Sequence, residues 1–426
     1  MAPQRSIRLE AQPPRCYKRA MTDHPTGALK GLRVIDFSRV LGGPYGTQLL
    51  ADHGAEVIKV EPPQGDETRE WGPPFEPEEE SGKKRSSYYL AINRNKRGFA
   101  LDLSKPEGRE IAFKLLEDAD VMVENFKPGT LEKWGMGYEE VLKERFPRLI
   151  HCRISGFGDD GPYGNFPGYD AVAQAMTGLI SVNGAPESGP VRIGIPIVDL
   201  ASGLNAVIGI MMAIFERQTS GKGQFIETAL YDVGVSLLHP YGINWLMSGK
   251  EPVLTGNAHS NVAPYDLFET ASGPIFFGIG NTRQFEKACA LLAREDLSAD
   301  PRFATNALRL EHREALTAEL ATALKSRDGE AFCTELLKAG VPAGPAHTVG
   351  EMLTHDHTKA REMVIDEESC KGIATPIKLS RTPANRTEAP PRFGGEARDI
   401  LAGLGYAESE IDNLIQSGIV PVDPKS

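Results

Sequence analysis

The run "IPIVDLASGLNAVIGIMMAIF" spans residues 195–215 and carries one aspartate, Asp199, near its start. A carboxylate among apolar neighbours is costly unless it is hydrogen-bonded, paired or employed. Asp199 therefore reads either as the N-cap of a helix or as a desolvated nucleophile, and one residue can be both. Other candidates also have two readings. The glycines of "LGGPYG" (41–46) either let a phosphate approach a helix N-terminus or make a tight strand-to-helix turn; the GxGxxG spacing is absent. Arg94, Lys96 and Arg97 in "NRNKRGFALDL", with Lys127 and Lys133 downstream, are either a basic pocket for a phosphate-bearing ligand or a solvated charged face. "GIGN" (278–281) is a ligand-facing loop or a turn. "HDH" (355–357) lacks a third ligand, so no metal is expected. No GxSxG elbow supports a Ser/His/Asp triad.

The bulk properties narrow the function classes. The 426 residues are 40% hydrophobic and 25% charged, with a net charge of −11. That balance argues against nucleic acid as a partner, because phosphate binding needs a basic footprint. Cys16, Cys152, Cys289, Cys333 and Cys370 are widely spaced without a CxxC, which reads as reduced thiols. No apolar run reaches transmembrane length without interruption; 203–215 is too short to span a bilayer and reads as a core helix, so no membrane partner is expected. Residues 1–27 carry Arg5, Arg8, Arg15, Lys18 and Arg19 with few acids. They are expected to be a disordered or transit-like tail, and Met21 is an alternative start. The expected location is cytoplasmic, or mitochondrial if the tail is a transit segment.

These candidates need elements to hold them. Residues 32–37 form a β-type run, 44–53 have helical spacing, and "AEVIKVE" is a second strand, which makes a βαβ unit. The pattern repeats through strand 98–104, helix 105–119 with Pro106 in its first turn, strand 120–125 and strand 149–158. Apolar strands alternating with amphipathic helices predict an α/β fold with a parallel, helix-covered sheet. The Pro/Gly-rich, charged stretch 62–87 reads as a long surface excursion. From about residue 250 the pattern changes to short strands and capped helices, a smaller α+β domain. A loop-rich tail follows from 341 and ends in a helix at "ESEIDNLIQSG".

In combination, "GLRVIDFSRVLGGP", "HGAEVIKVE", "NRNKRGFALDL", "ADVMVENFKPGTLEKWG", "GYDAVAQAMTG" and "IPIVDLASG" resemble the class III CoA-transferases, the CaiB–BaiF family, from Gly31 to about Val420. The resemblance implies a Rossmann-like large domain (28–235), a small domain (250–340) and a C-terminal segment (341–426) that returns to the large one. It also implies two chains interlocked as a homodimer. Its nucleophile matches Asp199, and its CoA contacts fall on Val40, Gly42, Leu101, Asp102, Leu103, Ser104, Asn125, Phe126, Lys127 and Lys133. No cofactor beyond CoA or acyl-CoA as substrate is implied. Leu41 stands where some members carry a glutamine. Trp71 resembles a tryptophan near the substrate in formyl-CoA-using members, whose glycine-rich loop is not matched by "GNAHSNVAPY". That segment, with "GNTRQFEKAC" and "TNALRLEHREAL", resembles members acting on succinyl-CoA and glutarate. Arg69, Trp71, Tyr169, His259 and Arg192 are the candidates for contacting the acid. The alternatives are an acyl-CoA racemase, which would place a histidine where Tyr169 stands, and a non-catalytic CoA-binding protein. A tyrosine, with a reference pKa of about 10, is a poor base near neutrality. Asp199 is expected to be ionised near neutral pH, from an ordinary pKa of about 3.9.

Overall fold

The computed structural model describes residues 27–76, 84–367, 370–384 and 388–423. Of the expected tail, residues 1–26, with Cys16 and Met21, lie outside them. Short apolar runs become strands and the amphipathic runs between them become helices. They are β1 (Arg33–Asp36), α1 (Gly42–Asp52), β2 (Glu56–Glu61), β3 (Lys96–Ala100), α2 (Pro106–Glu117), β4 (Val121–Glu124), β5 (Ile150–Ser155), α3 (Asp170–Met176), α4 (Ile197–Ser220) and β6 (Phe225–Ala229). The strands join in the order β3-β2-β1-β4-β5-β6, and every neighbouring pair is parallel. Val34 of β1 registers with Val57 on one side and Val121 on the other. Chain order reverses between β1 and β4. In an open parallel sheet this switch point leaves a crevice at the carboxyl ends of the strands, the usual place for a ligand.

Both faces of the sheet are covered. One packs Val34, Val57, Val123 and Ile154 against Leu50 of α1 and Val198, Ala206 and Ile210 of α4. The other packs Ile35, Ile58, Phe99 and Met122 against α2 and against Ile400, Leu401, Ile411 and Val420 from the end of the chain. The C-terminal segment thus folds onto the first domain, where the Asp102 amide also donates to the Ile419 carbonyl at 2.9 Å. Beyond α5 (Tyr241–Ser248), strands β7 (Tyr265–Phe268), β8 (Ile275–Gly278) and β9 (Ala343–Pro345) form an antiparallel sheet in the order β9-β8-β7. Its third strand lies past residue 340. Helices between β8 and β9 cover this sheet around Phe268, Phe277, Leu316 and Leu336.

Three expectations change. Strand 98–104 is shorter: β3 ends at Ala100, and Leu101–Ser104 turn into α2. The excursion 62–87 is not wholly on the surface, since Asp66, Thr68, Arg69 and Ser86 are buried. The apolar run at 203–215 belongs to a 24-residue helix, long and apolar enough by composition to cross a membrane. It is only half a core helix. Val198, Ser202, Ala206, Ile210, Ala213 and Arg217 face the sheet, whereas Leu204, Ile208, Met212 and Phe215 are exposed on the other side.

Helices α1 and α4 touch backbone to backbone. A Cβ on Gly203 would meet the Gly42 carbonyl oxygen at 2.4 Å, and one on Gly46 would meet the Gly203 oxygen at 2.9 Å. Gly203→Ala must therefore push the two helices apart. Overpacking of this kind costs about 1–3 kcal/mol, measurable as a lowered denaturant midpoint with the slope unchanged.

Candidate active site

Asp199 stands in the first turn of α4, inside the helix that begins at Ile197. It is not the cap. Asp170, at the start of α3, takes that role: its Oδ1 accepts from the Val198 amide at 2.8 Å and the Asp199 amide at 3.3 Å. Its Oδ2 accepts from Gln174 Nε2 at 2.7 Å, and Gln174 Oε1 in turn accepts from the Ile193 amide. The segment before the helix is thus pinned, and the Asp199 carboxylate is left without a capping task. Its ionisation also differs from expectation. Burial pushes its pKa up to about 7, and the neighbouring Asp170 charge adds to the rise. The group is therefore only partly ionised at neutrality in the free protein.

Two residues of this site were not singled out from the sequence. Asp170 is one; its signal was the "GYD" triplet. The other is Tyr88, whose hydroxyl burial pushes up to about 12, with the charges of Asp199, Asp170 and Asp66 assisting. Tyr88 thus stays neutral near the two carboxylates, and Trp71 packs edge-on against its ring at 5.2 Å. Tyr169 sits just before α3 and is 58% exposed.

The loop after β1 approaches Asp199 through Gly42, where a Cβ would lie 3.2 Å from the Asp199 carbonyl oxygen. No side chain caps the start of α1 at Leu41. Val40, just before it, has φ of 67°, which for a β-branched residue is an outlier. The loops after β3 and β4 open on the same edge of the sheet. Leu101 and Leu103 bury their side chains, while Asp102 Oδ1 accepts from the Ser104 amide and hydroxyl. The Phe126 amide donates to Glu124 Oε2 at 2.7 Å. Lys127 and Lys133 are exposed.

Several candidate residues are committed elsewhere. Arg69 is 1% exposed; it grips Glu61 at 2.8 and 2.6 Å and donates to Tyr89. It is a buried structural cation and cannot meet an acid in the crevice. Arg94 pairs with Asp52, Lys96 with Asp36, and Arg97 with Glu56. These three do not form a phosphate pocket, because each side chain is spent on its own carboxylate. Arg192 donates to the carbonyls of Ile193 and Gly194. His259 lies in the loop before β7, its Nδ1 accepting from the Asn261 amide. The "GIGN" turn supplies Asn281 as a helix cap, and His355 of "HDH" caps a short helix. Among the described residues no group of three or more His, Cys, Asp or Glu could hold a metal.

A model of CoA-transferase family III matches residues 29–397. The chain belongs to this family. It is 39% identical to a succinate–glutarate CoA-transferase of Agrobacterium fabrum, over 91% of this chain and 99% of that one. It is 36% identical to the human succinyl-CoA:glutarate CoA-transferase, over 92% and 90% of the two chains. A crystal structure of a CaiB/BaiF family protein from Brucella suis superposes with a TM-score of 0.80 at 42% identity, covering 89% of this chain and all of the other. A family III CoA-transferase is an enzyme acting on acyl-CoA and carboxylic acids, and Asp199 is the residue that the sequence resemblance assigns as its nucleophile. The kcat/KM of free enzyme follows its essential ionisations. Activity should rise as pH passes upward through about 7 and Asp199 loses its proton. Asp170→Asn removes one of the two influences that raise this pKa. It should move the acid limb of the kcat/KM profile to lower pH; an unmoved limb assigns it to another group.

Proposed function

We propose that this family III CoA-transferase moves CoA from a donor such as succinyl-CoA to a free dicarboxylate, glutarate first, through an Asp199-bound CoA thioester. The observation that carries the reading is Asp199 itself. Its half-buried carboxylate is kept out of the capping role by Asp170 and lies beside the crevice between β1 and β4. Asp199 Oδ attacks the donor's thioester carbonyl; the C–S bond breaks and CoA leaves as thiolate, forming a mixed anhydride. The thiolate then attacks the aspartyl carbonyl, giving the aspartyl-CoA thioester and releasing the first acid. The acceptor carboxylate attacks that thioester and expels the thiolate, which takes the new acyl group and frees Asp199. Anhydride and thioester both hydrolyse, so an apolar setting that limits water suits the chemistry.

CoA is assigned to Val40 and Gly42 after β1, Leu101–Ser104 after β3, and Asn125–Lys127 with Lys133 after β4. The support is that the segments directly after β1, β3 and β4 lie at carboxyl strand ends, where ligands of such sheets bind, with Lys133 in the short helix Thr130–Lys133 that follows β4. Trp71, Tyr169 and His259 are assigned to the acid side. Backbone N–H groups near Gly42, which need no side chain from Leu41, are assigned to oxyanion stabilisation. The interlocked homodimer is proposed from the exposed stripe Leu204, Ile208, Met212 and Phe215 on α4, with Leu246 and Met247 on α5. Apolar patches of this kind mark interfaces. Sedimentation should therefore give twice the chain mass; a monomer at micromolar concentration overturns the dimer.

The test of function is acyl exchange by purified protein, with succinyl-CoA and a panel of glutarate, oxalate, malate, itaconate and carnitine, read by mass. Glutaryl-CoA should form fastest, and Asp199→Ala should lower the rate about a thousandfold or more. Exchange that survives Asp199→Ala rejects the nucleophile. No exchange with any acid, but loss of an α-proton from a branched acyl-CoA in deuterated water, replaces transfer with racemisation.

A further inference from the structure

The β1–α1 loop holds a strained residue two positions before Gly42, where the loop meets the Asp199 backbone. Val40 has φ of 67°, although a β-branched side chain disfavours left-handed backbone strongly. Such strain persists only where the surroundings over-determine it, and it collects at functional sites. The surroundings here are specific. Asn125, one residue past β4, accepts from the Arg39 amide through Oδ1 at 2.8 Å and donates to the Arg39 carbonyl through Nδ2 at 2.7 Å. Its carboxamide grips one backbone unit through both its oxygen and its nitrogen, as a strand neighbour would, and it links the segments that follow β1 and β4. Lys59 Nζ donates to the Ser38 carbonyl at 3.1 Å, and Asp66 Oδ1 accepts from the Val40 amide at 3.4 Å. Beyond Val40 the chain enters α1 at Gly42, against the Asp199 backbone.

We propose that Asn125 is a positioning residue: its two hydrogen bonds to Arg39 hold Val40 left-handed and so set the β1–α1 loop against Asp199. This rests on the reading that Val40 and Gly42 meet acyl-CoA, and it replaces direct ligand contact as the main task of the Asn125 side chain. The physical consequence is selective. Valine released from the clamp populates the left-handed region about ten- to a hundredfold less. Glycine adopts either hand about equally, so with glycine at position 40 the clamp matters little.

The experiment is a double-mutant cycle on the full chain, reading kcat and donor KM by acyl exchange and amide hydrogen exchange over residues 37–45. Asn125→Ala should lower kcat about tenfold or more, with a smaller change in KM, and speed exchange in that peptide before any other. In the Val40→Gly background the same change should cost under about threefold, since the strain has gone. Asn125→Asp keeps the acceptor for the Arg39 amide and should fall between wild type and Asn125→Ala; it serves if the alanine variant does not fold. Equal losses in both backgrounds, or kinetics within twofold of wild type, overturn the proposal. A wild-type protein without transfer activity rejects the functional reading instead, and the hydrogen-exchange arm still decides the clamp: unchanged protection of 37–45 in Asn125→Ala ends it.

Discussion

The close approach of α1 and α4 is the constraint from which the rest of the site follows. Gly42, Gly46 and Gly203 let the two helices meet without intervening side chains. A methyl group at any of them would push the start of α4 away from the loop after β1. Asp199 would then stand apart from the crevice that the sheet order creates. The cost of such a contact is low side-chain burial at the crossing. It is offset by Val198, Ala206, Ile210 and Ala213, which dock the same helix on the sheet.

Beneath the loop lies a set of fully buried charges. Lys59 pairs with Asp66 at 2.9 Å, Lys96 with Asp36 at 3.1 Å, and Arg69 with Glu61 at 2.6 Å. Leaving one member of such a pair alone costs about 3–5 kcal/mol, so each partner's place is defined by the other. The charges also reach the backbone of the site: Lys59 holds the Ser38 carbonyl and Lys96 holds that of Pro44. Burial works against the Asp36 carboxylate, yet Lys96 and Lys59 hold its pKa below the ordinary value. Burial brings Lys96 itself down to about 8. The cluster is a buried floor in which each carboxylate is paired with its cation, though Arg69 Nη1 is left without a partner among the described residues.

Asp199 stands in the opposite electrostatic situation. Among the described residues no cation is seen to offset its burial, and Asp170 adds a like charge. Burial and the like charge make the anion harder to form, and in the proposed mechanism the same burial would shield an anhydride from water.

The sequence by itself determined the alternating strands and helices, the parallel sheet, the nucleophile candidate and the family. These depend on local periodicity and on short contiguous motifs such as "HGAEVIKVE" and "IPIVDLASG", which any one window displays. The tertiary structure decided what each polar side chain does. Arg69, Arg94 and Lys96 read as free cations in sequence because their partners Glu61, Asp52 and Asp36 lie 8 to 60 residues away. The cap of α4 comes from Asp170, 28 residues before the amide it receives, so a local search names Asp199 instead. Asn125 and Arg39 meet across 86 residues. Spacing along the chain carries no trace of such pairings; the sheet order that brings β1 beside β4 creates them.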